Sequence, residues 1–410
     1  MPVFEPLRLG LIGCGGMGLR HALAVADMHA SGCRPVEIVA ICDTDEGRRA
    51  RVAALLAERT GRRPGEHAST GALLDDRRVE AVDVVLPTSL HHATVLDALS
   101  AGMHVLVEKP LALTVSACDL IVAAAARAGK VVASSENYRR LPGNRTLAAL
   151  IASGALGPLD TMFVRNFAPP DPPMKRGQLP VASPEWYRAR AHAGGYHAME
   201  MGAHEADLQE FWFGPVETVS AEMRTFGRSA SPDVTEDILT AIFRFESGFV
   251  SIIAFASTMR GFEVADRLLI GQEAVLSSAA WHEWQNGAVV RADGTRQLSG
   301  DLVDAWLGGL LPDARQRLLP EGAWTRGREG SVATEPLSYG VGVAIHDFAQ
   351  AARTGSAPEI PAERARRAVA LCCAMMEAAR AEAPVRMEHV LSGEIRAAQA
   401  ALNHAIGLAA

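Results

Sequence analysis

Glu200, His204 and Asp207 are proton-exchanging side chains whose spacing places them on one surface if their segment is helical. Glu200 and His204 stand i,i+4 and His204 and Asp207 stand i,i+3, separations at which helical side chains lie one above another. A histidine between carboxylates suits general acid–base work, because imidazole is the side chain that ordinarily titrates near neutrality. Such a face can serve hydride transfer between an alcohol carbon and a nicotinamide, where a base must take the hydroxyl proton. His204 is then the general acid or base, and Glu200 orients a neighbour or holds a substrate hydroxyl. His197, Glu200 and His204 also have the spacing of zinc ligands. A helix beginning near Met199 leaves His197 off the face, and nicotinamide chemistry needs no metal, so no metal is expected.

A nicotinamide needs a dinucleotide site, and the start of the chain offers one. The apolar run 7–12 leads into Gly13-Cys14-Gly15-Gly16-Met17-Gly18 and then an amphipathic stretch, so G-x-G-x-x-G falls where a strand gives way to a helix. There Gly13 permits the tight turn, Gly15 admits a pyrophosphate to the backbone, and Gly18 lets helix close on strand. Gly16 and Met17 begin the helix whose N–H groups face the anion. Asp43, ending the second strand-like run, can accept both ribose hydroxyls and would repel a 2′-phosphate, which favours NAD over NADP; Arg48 and Arg49 just downstream act the other way. The alternative for Asp43 is an N-cap of the helix that follows. The basic cluster 48–63 reads as a solvated helix face.

These residues need a scaffold. Apolar runs at 7–12, 36–43, 82–87, 104–108 and 131–136 alternate with amphipathic stretches, the pattern of βαβ units forming a parallel sheet, with left-handed helix ends expected at Gly102 and Gly129. Beyond Asn144 come one helix ending near Gly154, a Pro-rich loop (168–184), a helix at 199–213 and strand-like runs at 216–226, 238–245, 249–256 and 267–276. Glu246-Ser247-Gly248 and Ala292-Asp293-Gly294 read as turns between strands. Successive strands favour a mostly antiparallel sheet. We therefore expect an α/β protein: an N-terminal Rossmann doubly wound parallel sheet at 1–140, and a C-terminal α/β domain with a large, open, mostly antiparallel sheet at 141–410. Residues 301–335 have no clear period and read as an insertion or mobile loop; 343–404 read as helical.

Composition narrows the function classes. The 410 residues are 49% hydrophobic and 21% charged, ordinary globular usage, and the net charge of −7 offers no footprint for nucleic acid or an anionic membrane. The six cysteines lack zinc-ligand spacing and several sit in apolar runs, which suits a reducing compartment. The first residues have no basic n-region or long apolar stretch, and the expectation is a cytoplasmic protein.

The run Ala101-Gly102-Met103-His104-Val105-Leu106-Val107-Glu108-Lys109-Pro110 resembles the glucose-fructose oxidoreductase and inositol dehydrogenase family (Gfo/Idh/MocA). Leu86-Pro87-Thr88-Ser89-Leu90-His91-His92 resembles the segment after that family's third main strand, Glu136-Asn137-Tyr138-Arg139 the segment leading to its second domain, and Gly194 to Asp207 its catalytic helix. The resemblance implies a homo-oligomer, dimer or tetramer, joined through the open sheet, with substrate and nicotinamide held between the domains. It implies sugar, aminosugar or cyclitol substrates. Carried over by position, Lys109 matches the active-site lysine, His204 the catalytic histidine and Asp207 the acidic residue one turn on. Pro87, Thr88, His92, Glu108, Lys109, Asn137 and Trp186 fall on the cofactor side; Lys109, Tyr138, Tyr196, Glu200 and His204 fall on the substrate side. Tyr187 is a further candidate for the pocket wall.

Two residues depart from the family pattern: Tyr196 replaces a glycine and Glu200 an aspartate one methylene shorter. Burial beside a positive nicotinamide would disfavour charge on Lys109, while a nearby carboxylate would favour it. The expected activity is an NAD-dependent dehydrogenase or reductase acting on a secondary alcohol or ketone. Two alternatives stay open: a lyase or glycosidase that recycles bound NAD internally, and a non-catalytic nucleotide-dependent sensor.

Overall fold

The computed structural model describes residues 5–169, 185–226, 234–258, 263–280, 282–320 and 336–409. Six strands, β1 (Leu7–Ile12), β2 (Val36–Cys42), β3 (Gly65–His67), β4 (Ala81–Val84), β5 (His104–Val107) and β6 (Val132–Ser134), form an all-parallel sheet in the order β3-β2-β1-β4-β5-β6. Its central strands are apolar on both sides, as a sheet covered by helices on both faces requires: Leu9, Leu11, Val82, Val84, Val105 and Val107 are fully buried. Each such side chain contributes roughly 1.5–3 kcal/mol over its exposed state. One face packs on the helix Gly16–Ala30 and, from far along the chain, on Val341, Ile345 and Phe348 of the helix Pro336–Thr354. The other face packs on the helices His91–Ser100 and Val115–Ala128. Gly102 and Gly129 have φ of 79° and 61°, the left-handed helix ends expected of them.

A second sheet of nine strands runs β14-β13-β12-β11-β7-β10-β9-β8-β15. Its members are β7 (Leu159–Phe167), β8 (Val216–Arg224), β9 (Ile238–Phe245), β10 (Val250–Ala256), β11 (Val264–Gly271), β12 (Ala274–Ser278), β13 (Ala288–Arg291), β14 (Arg296–Leu298) and β15 (Val385–Arg386). All neighbours pair antiparallel except β7 with β10. Alternation along β9 puts Leu239, Ala241 and Phe243 inward, in one core with the helices Gly202–Phe213 and Ala362–Ala381.

Several elements differ from expectation. The run 267–276 is two strands, β11 and β12, because the chain turns at Gln272-Glu273. The strand β7 is not among the runs read from the sequence, because one of its faces mixes Thr161, Phe163 and Arg165, yet it sits mid-sheet between β10 and β11. Part of the supposed insertion is helical, at Ser299–Gly309 and Pro312–Leu318, while 321–335 and most of the Pro-rich loop lie outside the described residues. Among the described residues, no helix is long and apolar enough to cross a membrane.

Candidate active site

The carboxyl ends of the parallel strands gather most of the residues singled out above, as expected where an open α/β sheet changes direction. Between β1 and the helix Gly16–Ala30, the three motif glycines have distinct surroundings. Gly13 has φ 105°, and a Cβ there would stand 2.0 Å from the Val85 carbonyl oxygen; one on Gly18 would stand 1.9 Å from that of Gly13. A Cβ on Gly15 meets nothing within 4 Å. Packing therefore demands the first and third glycines, while the middle one faces open space beside a helix start that has no side-chain cap. That cradle fits a pyrophosphate.

Asp43 follows β2 and is held beside this turn: Oδ2 accepts from Cys14 N at 2.8 Å and Oδ1 from Asp45 N at 2.9 Å. The helix N-cap is Asp45, which accepts from Arg48 N at 2.9 Å, so the capping alternative for Asp43 falls away. Arg49 spends one guanidinium N–H on the Asp43 carbonyl at 2.6 Å. Pro87 and Thr88 lie in the turn after β4, and His92 on the helix beyond it; Asn137 follows β6, where a Cβ on Gly340 would stand 2.4 Å from its carbonyl oxygen.

Lys109 follows β5, its peptide to Pro110 cis. Its Nζ donates to the Glu200 carbonyl at 3.0 Å and to Glu200 Oε2 at 3.1 Å, while Thr88 Oγ1 donates to Glu200 Oε1 at 2.6 Å. Burial opposes the lysine's charge, but Glu200, Tyr187 and Glu108 outweigh it and raise its pKa above the ordinary lysine value. Of the two opposing influences anticipated for Lys109, the carboxylate prevails: the ammonium is the stable form.

Glu200 reaches Lys109 from a segment that does not begin as a regular helix. Tyr196–Met201 form a π-helical turn, in which Glu200 N donates to the Gly195 carbonyl at 3.1 Å, and the α-helix starts at Gly202. Ala198 N is anchored on buried Glu236 at 2.7 Å. His197 Nε2 lies 3.1 Å from the Asp237 carbonyl and turns away from Glu200 and His204; burial pulls its pKa down to about 4. Among the described residues no group of His, Cys, Asp or Glu is arranged to hold a metal.

His204 sits one turn into this helix region, its Nδ1 2.7 Å from Glu136 Oε2 and 2.9 Å from Oε1. The Tyr138 ring stacks on the imidazole with centroids 3.8 Å apart and planes 7° from parallel. Burial raises the pKa of both Glu136 and Glu108, but His204 first, then the Tyr138 N–H and Lys109, bring Glu136 down, and His21 first, then Lys109 and His204, bring Glu108 down, so these groups form one electrostatic cluster. Asp207, on the same α-helix one turn beyond His204, lines a small cavity with Lys109 and Glu136, but its carboxylate is clasped by Arg139, Nε to Oδ2 at 2.6 Å and Nη2 to Oδ1 at 2.5 Å, both side chains 3% exposed. The three residues thus have different partners: the π turn carries Glu200 to Lys109, Glu136 holds His204, and Arg139 holds Asp207. Trp186 and Tyr187 stand edge to face, centroids 4.2 Å apart, and Tyr187 lies 6.4 Å from Tyr196. Burial pushes the Tyr187 phenol up to about 12, with Lys109 drawing it the other way.

Glu108 points inward, taking Lys109 N on Oε2 at 3.0 Å and facing His21 Nε2 at 3.0 Å; Asp83 faces His21 Nδ1 at 2.7 Å. Burial works against charge on His21, yet the two carboxylates raise its pKa to about 10, and the imidazolium secures the base of the lysine loop. His21, Asp83, Glu136 and Arg139 were not assigned from the sequence. Asp83 inside the apolar run of β4 was a visible signal, since a buried carboxylate needs a partner; which partner was not legible.

Residues 7–136 match the family model described as an oxidoreductase family with an NAD-binding Rossmann fold (GFO_IDH_MocA), and residues 144–276 match the GFO/IDH/MocA C-terminal domain. Among curated relatives, inositol 2-dehydrogenase 2 of Saccharopolyspora erythraea is 30% identical over 268 residues, 64% of this chain and 70% of that protein. D-apiose dehydrogenase of Paraburkholderia graminis is 30% identical over 244 residues, 59% of this chain and 58% of that protein. The fold is that of levoglucosan dehydrogenase solved with NADH and levoglucosan, at TM-score 0.74 and 22% identity over 93% of this chain and 100% of the other.

Proposed function

Given that this chain belongs to the Gfo/Idh/MocA family of oxidoreductases with an NAD-binding Rossmann fold, we propose that it interconverts a secondary alcohol and a ketone on a sugar, aminosugar or cyclitol. The observation that carries this is a lysine ammonium fixed by Glu200 in the same electrostatic cluster as His204, at the strand ends beside the open glycine turn. The cofactor would lie along Gly13 to Gly18, with its ribose at Asp43 and its nicotinamide toward Pro87, Thr88, His92, Asn137 and Trp186. NAD, when bound, supplies the hydride acceptor for the carbon being oxidised.

The protein's part is electrostatic and protolytic. Lys109 donates a hydrogen bond to the substrate oxygen and stabilises the negative charge that grows there as the C–H bond breaks with its electron pair. His204 takes the hydroxyl proton, and in the reductive direction returns it. Glu200, tied to Thr88, keeps the lysine aimed, while Tyr138, Tyr187 and Tyr196 wall the substrate side. A carboxylate at Asp43 opposes a 2′-phosphate and favours NAD over NADP. Purified protein given NAD and a panel of sugars, aminosugars and cyclitols is expected to form reduced nicotinamide together with a product two mass units lighter. A changed product mass with no reduced nicotinamide would replace this reading with an internally recycled elimination. Silence across the panel by both readouts would turn it toward a sensor.

The outer face of the second sheet supports self-association. Cross-strand register aligns Ile242, Ile252, Phe163 and Leu268 on neighbouring strands, and three of them remain exposed: Ile242 at 42%, Phe163 at 37% and Leu268 at 38%. A contiguous apolar row on a sheet is the kind of patch that marks an interface, and we place a homo-oligomer contact there. Sedimentation should find a dimer or tetramer that Leu268→Glu converts to a smaller species; a monomeric wild-type protein would refute it.

A further inference from the structure

Glu136 has no part in the chemistry assigned above, yet it is buried against the proposed base. Its side chain is 4% exposed, and both carboxylate oxygens lie within 3 Å of His204 Nδ1, at 2.7 and 2.9 Å. One of the two, Oε1, also accepts the Tyr138 backbone N–H at 2.7 Å. Three features thus hold the imidazole: the carboxylate at one nitrogen, the Tyr138 ring flat on its face, and the backbone bond that keeps the carboxylate from rotating.

We propose that Glu136 is a positioning residue for His204, taking the Nδ1–H so that Nε2 is the proton acceptor offered to the substrate. The proposal rests on the reading of His204 as the acid–base group. A neutral imidazole carries one N–H, and a carboxylate can only accept, so the proton must sit on the nitrogen that faces Glu136. When Nε2 takes the substrate proton, the ring becomes an imidazolium beside a buried anion and is stabilised there; the carboxylate itself stays unprotonated. On the return step the proton leaves Nε2 and the ring reverts to the same tautomer.

The geometry makes Glu136→Gln an informative variant. The glutamine oxygen is held by Tyr138 N–H in the Oε1 position, 2.9 Å from Nδ1, and the amide NH₂ takes the nearer Oε2 position, 2.7 Å from it. An NH₂ can only donate, so the closer contact favours Nδ1 as acceptor and moves the proton to Nε2, where it blocks the base. Nitrogen-15 spectra of histidine-labelled protein read the tautomer directly, with the His204 signal identified among the 13 histidines by its loss in His204→Gln. At a pH where the ring is neutral, wild type is expected to show Nδ1–H and Glu136→Gln to show Nε2–H. The variant's kcat should fall about 10³–10⁴-fold with KM and NAD affinity within a few-fold, following the tautomer logic of the serine-protease triad. Glu136→Asp, which keeps the carboxylate, should retain Nδ1–H and recover much of the rate.

An Nε2–H signal for His204 in wild-type protein overturns the proposal whatever the substrate, and so does a Glu136→Gln enzyme with kcat within about threefold of wild type. The wild-type spectrum needs neither turnover nor a folded Glu136 variant. A protein with Nδ1–H in place that oxidises no alcohol would support the role of Glu136 while removing the functional reading it was built on.

Discussion

Lys109→Ala is expected to lower kcat by about 10³-fold while leaving the affinity for NAD within a few-fold of wild type. Lys109 donates a hydrogen bond from its ammonium to the substrate oxygen in this mechanism, and a lost donor aimed at growing negative charge typically costs about 10²–10³ in rate, with more lost when proton transfer also suffers. Cofactor affinity should survive because the glycine turn and Asp43 lie on other loops. Single-turnover formation of reduced nicotinamide, with separate cofactor titration, distinguishes the two quantities. Glu200, its side chain 3% exposed, keeps its bond from Thr88 in the variant but loses its cation, so a loss of stability is expected beside the loss of rate and is read separately by urea unfolding. Equal turnover in Lys109→Ala and wild type would refute the active-site assignment of the lysine. Lys109→Arg should also be slow, since a planar guanidinium cannot place one donor where the ammonium stands.

Asp207→Ala should act on stability in the first place, by about 3–5 kcal/mol in urea unfolding. The carboxylate is bidentate to Arg139, both are 3% exposed, and the guanidinium also stacks 4.7 Å over the Phe211 ring. Removing the acid strands a buried cation, the arrangement in which losing one partner costs most. Asp207→Asn, which preserves shape and one acceptor, should lose less. A stable Asp207→Ala protein, within about 1 kcal/mol of wild type but without turnover, would give Asp207 a part in the reaction rather than in holding Arg139.

This division between Lys109 and Asp207 shows where local pattern stops being informative. Helical spacing is a property of an ideal helix, and on such a helix Glu200, His204 and Asp207 do share a surface. The π-helical turn at 196–201 is stabilised from outside: Glu236, beyond β8, takes Ala198 N, and His197 bonds the Asp237 carbonyl. Neither partner is near in sequence, so no window around Glu200 could show that its carboxylate swings to Lys109.

By itself the sequence determined the parallel sheet, the glycine turn, the strand-end placement of Asp43, Thr88 and Lys109, and the histidine on the segment that follows Gly194. Each is written locally: apolar runs buried on both faces, three glycines with separate steric tasks, and charged residues at the ends of strands. Tertiary structure alone decided how the charges pair. Glu136 meets His204 across 68 residues, His21 joins Asp83 and Glu108, Arg139 takes Asp207, and the helix Pro336–Thr354 returns to cover β1 and press Gly340 against Asn137. The physical reason is that a buried charge specifies only that it must have a partner. Which partner it finds depends on the three-dimensional course of the chain, and in this protein that choice separates the residues proposed to move protons from those that hold the 196–213 segment in place.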